Sequence, residues 1–298
     1  MKIVIWLQLN QNGGGVGYLN PALNILARLY GEVVILGLIA PQGITFNGIK
    51  NISKEDLKNI DYDLILVAGQ NASLVPILQD AETLGIDEDK IILDRVACIP
   101  LFTLEKYNKL RRSKLSILSF NCFGGYLYNA LGLKFLSPTI NMFTHEKDFL
   151  EFLKDPIINM NKELVFKEMS FFEPDKKHYP LFMIGDTPWH MLHYNDADTA
   201  FKKWYQRRYK INWFNLFVVM CTEKPEILSE FDKLPFSKKA CFVPFKTDLD
   251  SGFYIDSSKY PQYSRFVEIF NAVAYGAVHE YDIWDMLLYG KKTPLIIK

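Results

Sequence analysis

The sequence predicts an α/β fold, a small Rossmann-like parallel-sheet domain over residues 1–110 followed by a larger α/β domain over residues 111–298. Three observations predict it. Near-continuous apolar runs of strand length alternate with segments of helical periodicity, the pattern of parallel strands covered on both faces. Helix start and stop residues punctuate those segments. A polar, charged stretch at residues 103–113, ending Lys109-Leu110-Arg111-Arg112, separates one α/β series from the next.

In the first series residues 2–9 form an apolar strand. Asn20-Pro21 then reads as an N-cap followed by proline at the first helical position, and Leu23, Leu26, Ala27 and Tyr30 make that helix's apolar stripe. Residues 32–39 and 63–68 are the second and third strands, 73–84 a helix ending at Gly85, and 90–93 a short fourth strand. The loop Asn12-Gly13-Gly14-Gly15-Val16-Gly17 sits where a phosphate loop would follow the first strand. Its spacing departs from GxGxxG because position 18 is Tyr, and the second strand ends Gly37-Leu38-Ile39-Ala40-Pro41 without a ribose-binding acid. A structural turn is therefore favoured over a dinucleotide site, and no cofactor is identified.

The second series has strand candidates at 115–120, 181–184, 215–220 and 241–245. Helix candidates lie at 125–130, 146–153, 198–210, 224–231, 263–274 and 281–288.

Composition narrows the function classes. Basic and acidic residues balance at 34 each, so no duplex nucleic-acid partner is expected. The 22 Phe and 16 Tyr fall mostly inside apolar runs and are expected to pack the core. Cys98, Cys122, Cys221 and Cys241 are scattered without a CxxC pair, which argues against structural zinc. The N-terminal apolar run is short for a signal peptide and no segment reaches the ~20 apolar residues of a membrane span, so a cytoplasmic location is expected.

Ligands of open α/β sheets bind beyond the carboxyl ends of the strands. Asn121 and Cys122 follow the first strand of the second domain, and Gly124 and Gly125 open the next helix. Asp186, His190 and His193 follow the second strand, and Asp248 and Asp250 the fourth. If those strands run parallel, the groups converge. Cys122 would be a nucleophile with its pKa lowered at a helix start, His193 or His190 a base, and Asp186 a further catalytic acid. The alternative is a buried thiol that packs as a small apolar residue. Gly124 and Gly125 allow close approach of a ligand or of the packed strand. Two Asp-x-Asp triplets occur, at Asp196 and Asp198 and at Asp248 and Asp250. The second follows a strand and is the better candidate for a divalent metal, while the first equally suits a helix cap. At roughly 100° per residue, Ala197, Phe201, Trp204 and Arg208 share a stripe. Arg208 is thus expected inward, paired with a carboxylate or gripping an anionic substrate.

Asn121-Cys122-Phe123-Gly124-Gly125, the run Leu136-Ser137-Pro138-Thr139-Ile140-Asn141-Met142-Phe143 and Asp148-Phe149-Leu150 are followed in order by Tyr179-Pro180, His193-Tyr194-Asn195-Asp196, and Ala200 through Trp204, Arg207 and Arg208. This set, over about residues 113–250, resembles an uncharacterised bacterial family, a domain of unknown function labelled as exopolysaccharide biosynthesis proteins. The resemblance implies a setting in surface-polysaccharide assembly or modification, brings Arg207 beside Arg208 as a substrate-binding candidate, and supplies no reaction. Tyr62 through Ala68, Leu84-Gly85-Ile86 and Lys90-Ile91-Ile92 are similar to small Rossmann-like modules attached to sugar-modifying enzymes. Two functions remain in view. One is a transferase acting on a nucleotide-sugar or glycan intermediate. The other is a non-catalytic partner or binding module of a polysaccharide assembly complex.

Overall fold

The computed structural model describes residues 1–8, 16–70 and 72–295, without the side chain of Asp175. The glycine-rich part of the first loop, Gly13, Gly14 and Gly15, lies outside the described residues. The fold is α/β, and the chain divides into two compact units, residues 1–108 with 129–134, and residues 109–128 with 135–298.

In the first unit, β1 (Lys2–Leu7), α1 (Leu19–Tyr30), β2 (Val34–Ile39), β3 (Leu64–Ala68), α2 (Leu74–Leu84), β4 (Ile91–Leu93) and the short α3 (Asp94–Ala97) follow in order. The four strands form one parallel sheet, β2-β1-β3-β4. β3 and β4 are buried throughout, as continuous apolar strands under helices must be. α1 begins two residues earlier than its Asn-Pro signal predicts, with Tyr18 as N-cap, and its fully buried face is Leu19, Ala22 and Leu26. Proline is tolerated there because first-turn N–H groups have no intrahelical acceptor. Ser73 caps α2, and Gly85 ends it in the left-handed conformation. Beyond the strand ends this unit ties itself together. Arg95 donates to the carbonyls of Ala72, Asn129 and Ala130, and Gln8 Oε1 accepts the Ser73 N–H at 2.7 Å. Burial pushes the Asp94 carboxyl up to about 6, against the pull of Arg95 and of backbone N–H groups.

A helix, α4 (Leu104–Arg112), occupies the polar stretch that the sequence suggests as a boundary. The second unit then runs β5 (Ser116–Ser119), α5 (Phe123–Ala130), α6 (Glu146–Lys154), α7 (Pro156–Asn161), β6 (Leu164–Phe172), β7 (Lys177–Ile184), β8 (Thr187–His190) and α8 (Ala197–Arg208). It continues with β9 (Leu216–Cys221), α9 (Pro225–Asp232), β10 (Lys239–Val243), β11 (Gly252–Tyr254), α10 (Phe266–Tyr275) and α11 (Ile283–Tyr289). β11-β10-β9-β5 is a parallel sheet, packed by an aromatic core in which Phe123 stacks on Phe270 at 4.2 Å and Phe242 sits beside both. A second sheet, β6-β7-β8, is antiparallel and packs Trp189 against Phe149, Phe152 and Trp204.

This second sheet corrects the expectation that residues 181–184 belong to the parallel sheet. Asp186 is exposed in the tight turn between β7 and β8 of the antiparallel sheet, not at the carboxyl edge of the parallel one. Asp248 and Asp250 are corrected too. Their loop carries the chain back along the sheet, so both are exposed, and Asp250 lines a separate cleft with Asp232, Lys239 and Lys292, beside the start of β10. Among the described residues no group of three or more His, Cys, Asp or Glu side chains could hold a metal ion. No described helix is long and apolar enough to cross a membrane.

Candidate active site

A cleft of about 870 Å³ opens in the second unit where β5 gives way to α5. Its floor is Phe120, Asn121 and Cys122, directly after β5. The chain returns to this point when the Thr144 N–H donates to the Phe120 carbonyl at 2.8 Å, which places His145, Glu146, Lys147 and Asp148 on one wall. Arg265, Val267 and Asn271, at and within α10, line another part, with Phe143, Phe172, Leu192, His193 and Lys224.

The bend after β5 is held by its own side chains. Asn121 Oδ1 accepts the Phe123 N–H at 3.0 Å, and Ser119 Oγ accepts the Gly124 N–H at 3.1 Å while donating to the Asn121 carbonyl at 2.7 Å. Gly124 and Gly125 are buried packing positions. A Cβ on Gly124 would meet Ser119 Oγ at 2.9 Å, and one on Gly125 would meet Ile140 Cγ2 at 3.0 Å. Of the two uses the sequence allows these glycines, the packing favours the close approach of helix to neighbouring chain.

Cys122 lines the cleft floor but is only 7% exposed, and burial pushes its thiol up to about 11 despite a hydrogen bond with Tyr126. Burial of the thiol favours the alternative reading, in which Cys122 packs as a small apolar residue. Asn121 also reaches across the cleft, its Nδ2 donating to Asn271 Oδ1 at 3.1 Å.

The aromatic wall is built from the second sheet. Phe143 and His190 exchange backbone hydrogen bonds at 2.9 and 2.8 Å, and their rings stack 4.4 Å apart and 6° from parallel. His190 Nδ1 pairs with Tyr179 Oη at 2.9 Å, and burial, with the nearby His145, pushes its pKa down to about 4. His190 thus backs Phe143 as a neutral ring and is not itself on the lining. His145 is exposed at the head of α6, its ring centroid 5.5 Å from that of His190. Lys224 is paired with Glu146 at 2.9 Å, and Arg265 with Glu268 at 2.8 Å.

Of the residues marked in the sequence, the structure brings Asn121, Cys122 and His193 together on this cleft. Arg207 and Arg208 are not on its lining. Arg207 donates to Tyr194 Oη at 2.9 Å and lies over the Phe135 ring. Arg208 is half-buried between the rings of Tyr205 and Tyr209, at 4.1 and 4.7 Å, with no carboxylate partner among the described residues. Of the expected stripe, Trp204 is fully buried and Ala197 and Arg208 half-buried, but Phe201 is exposed and Ala200 is buried in its place. Cation–π contact therefore replaces the expected ion pair.

The sequence reading missed His145, Lys224, Arg265 and Asn271. The helix at 146–153 was legible, but its head carries no local mark of facing a cleft 25 residues after Phe120. That placement is made by long-range contacts, the Thr144 hydrogen bond to Phe120 and the backbone pair of Phe143 with His190.

The chemistry on the lining is mixed: aromatic faces at Phe143 and Phe172, a pair of amides, two imidazoles, and both signs of charge. Comparison with known proteins adds family and no reaction. Residues 1–92 match the model described as C2185-like, N-terminal. An uncharacterised protein of Haemophilus influenzae is 28% identical over 184 residues, covering 59% of this chain and 84% of that protein. Residues 95–288 match the model of a domain of unknown function, DUF1919, and with well over half its length matched the chain belongs to that family.

Proposed function

We propose that the cleft binds a nucleotide-sugar or a phosphorylated glycan intermediate, and that the protein is a transferase acting on it in surface-polysaccharide biosynthesis. One observation carries the reading: the Asn121–Asn271 amide pair, the Phe143 and Phe172 faces and the imidazoles of His145 and His193 share one cleft beyond the end of a parallel strand. Aromatic faces suit the apolar faces of sugar rings, and amides suit vicinal hydroxyls. His145, exposed beside the cleft floor, is the proposed proton acceptor for an attacking hydroxyl, with His193 as the alternative. The polysaccharide setting comes from the resemblance of residues 113–250, and the transfer step from the mixed acid–base and binding character of the lining.

The test is thermal melting of the full chain against nucleotide-sugars, sugar 1-phosphates, nucleotides and neutral sugars, with and without divalent metal. A ligand at 100 times its Kd adds about 2.7 kcal/mol of stability and raises the melting temperature by roughly 5 °C. Asn271→Ala should abolish that rise while leaving the unliganded melting point within a few degrees. No rise with any phosphorylated sugar, or a rise that survives Asn271→Ala, would remove the basis of the proposal.

A second reading, the non-catalytic partner, is favoured by the edge strand β6. Val165, Phe166, Met169 and Phe171 are all exposed along it, apolar side chains on an edge that could pair with another chain.

A further inference from the structure

Strand β6 is the open edge of the antiparallel sheet. β7 pairs with one side of it, and among the described residues no strand pairs with the other. Residues 165–169 and Phe171 are exposed, so the edge presents backbone N–H and C=O groups together with the side chains of Val165, Phe166, Met169 and Phe171. The ladder with β7 fixes which of these share a face. Leu164, Phe166, Met169 and Phe171 stand opposite Ile184, Phe182, Pro180 and His178, alternate residues of β7, and so lie on one face. Val165, Glu168 and Ser170 stand opposite Met183, Leu181 and Tyr179 and lie on the other. Lys167 is the extra residue of the bulge between Phe166 and Glu168, and with Glu168 it stands across from Leu181.

This bulge makes the strand match itself. In a regular strand, residues an odd number of positions apart lie on opposite faces. Two antiparallel copies then cannot pair about a point between two residues without setting one face against the other. The extra residue removes that conflict. About a two-fold axis between Lys167 and Glu168, Phe166 falls opposite Met169 of the second copy, Leu164 opposite Phe171, and Val165 opposite Ser170, each pair on a common face. Lys167 falls opposite Glu168 on both sides of the axis, and neither has an ion-pair partner in its own chain among the described residues. A shift of one residue either way would set Lys167 against Lys167 or Glu168 against Glu168, with Phe166 across from Glu168 or Ser170 of the other face. We propose that this edge is a self-recognition surface, on which two copies of the chain pair antiparallel along β6 and join two three-stranded sheets into one. Bulges and lysines on an edge usually deter pairing. Here both stand at the centre of the register in which charge and face agree. The proposal does not depend on what the cleft binds, and it gives β6 an occupant other than the assembly partner of the second functional reading.

The experiment is sedimentation velocity of the full chain over a range of concentrations. A concentration-dependent species at twice the chain mass is expected. Lys167→Glu and Glu168→Lys each set like charges against one another and should raise the dimer dissociation constant about tenfold or more. Mixing the two variants should restore association, because every acid of one then faces a lysine of the other. Lys167→Glu combined with Glu168→Lys in one chain should restore it too. Either restoration excludes misfolding as the cause of the loss. A chain that stays monomeric throughout, a dimer indifferent to both single changes, or single variants that neither mixing nor the double swap rescues would each overturn the proposal. The first of these outcomes would leave β6 to a different chain.

Discussion

The starts of α5 and α6 compare two ways of ending a helix at one cleft. α5 carries the residues that attract attention, a polar Asn-Cys pair and two glycines after a buried strand. Those residues are occupied by their own chain, the oxygens of Asn121 and Ser119 on the first N–H groups and the glycines under neighbouring side chains. α6 carries no such motif and is the start left bare. The difference teaches that a small-residue, polar bend has two physical uses. It can present N–H groups to a ligand, or it can cap itself and let a helix press close to a strand. Which use applies depends on where one side-chain oxygen lands, and that is a matter of ångströms.

The largest test of this contrast is at Cys122. An open helix start would lower its pKa, whereas the capped and buried start raises it to about 11. At pH 8 the thiolate is then scarce, and alkylation of Cys122 by iodoacetamide should run about a hundredfold slower than that of an unperturbed thiol. Peptide-level mass spectrometry after brief labelling reads the rate. Labelling at the ordinary rate would mean that the α5 start is open, and the comparison would break.

Next comes Gly124→Val. Its Cβ would press on Ser119 Oγ at 2.9 Å and Ile117 Cγ2 at 3.3 Å, displacing the cap as well as overfilling the helix–strand contact. A loss of about 2–4 kcal/mol in urea unfolding is expected. A variant as stable as wild type would show that the glycine is there for something other than packing. Asn121→Ala should cost less, about 1–2 kcal/mol, by uncapping Phe123 and leaving Asn271 unpaired. Asn121→Asp, which keeps the acceptor, should recover most of it. If Ala is tolerated without loss, the capping role assigned to Asn121 is wrong. The smallest effect belongs to α6. In the absence of ligand Thr144→Val should unfold within about 0.5 kcal/mol of wild type or be slightly more stable, because the hydroxyl it deletes has no partner among the described residues. A clear loss would reveal a hidden cap and erase the distinction between the two helices.

Much of the fold was legible because burial on both faces leaves a mark in sequence. β3 and β4 read as strands since every residue in them is buried. The antiparallel sheet was not legible. β6 has a register shift between Phe166 and Glu168, which breaks the two-residue alternation, and most of its side chains are exposed. With β6 unread, residues 181–184 were assigned to the parallel sheet, and Asp186 went with them. Asp248 and Asp250 failed for a related reason: the loop after β10 begins near one edge of the sheet and ends near the other, and sequence does not say where along it an acid falls.

Local pattern in the sequence is enough for the α/β class, all the parallel strands but β11, most helices, and the junction at Asn121 and Cys122. These follow from local periodicity and from the rule that strand ends meet helix starts. Tertiary structure alone decided what that junction does. Whether Ser119 Oγ reaches Gly124, how far burial raises the Cys122 thiol, and whether the Thr144 hydroxyl finds a partner are set by distances between residues far apart in the chain or folded back on one another. Hydrogen bonds and pKa shifts change over less than an ångström, a scale on which residue type and spacing carry no information.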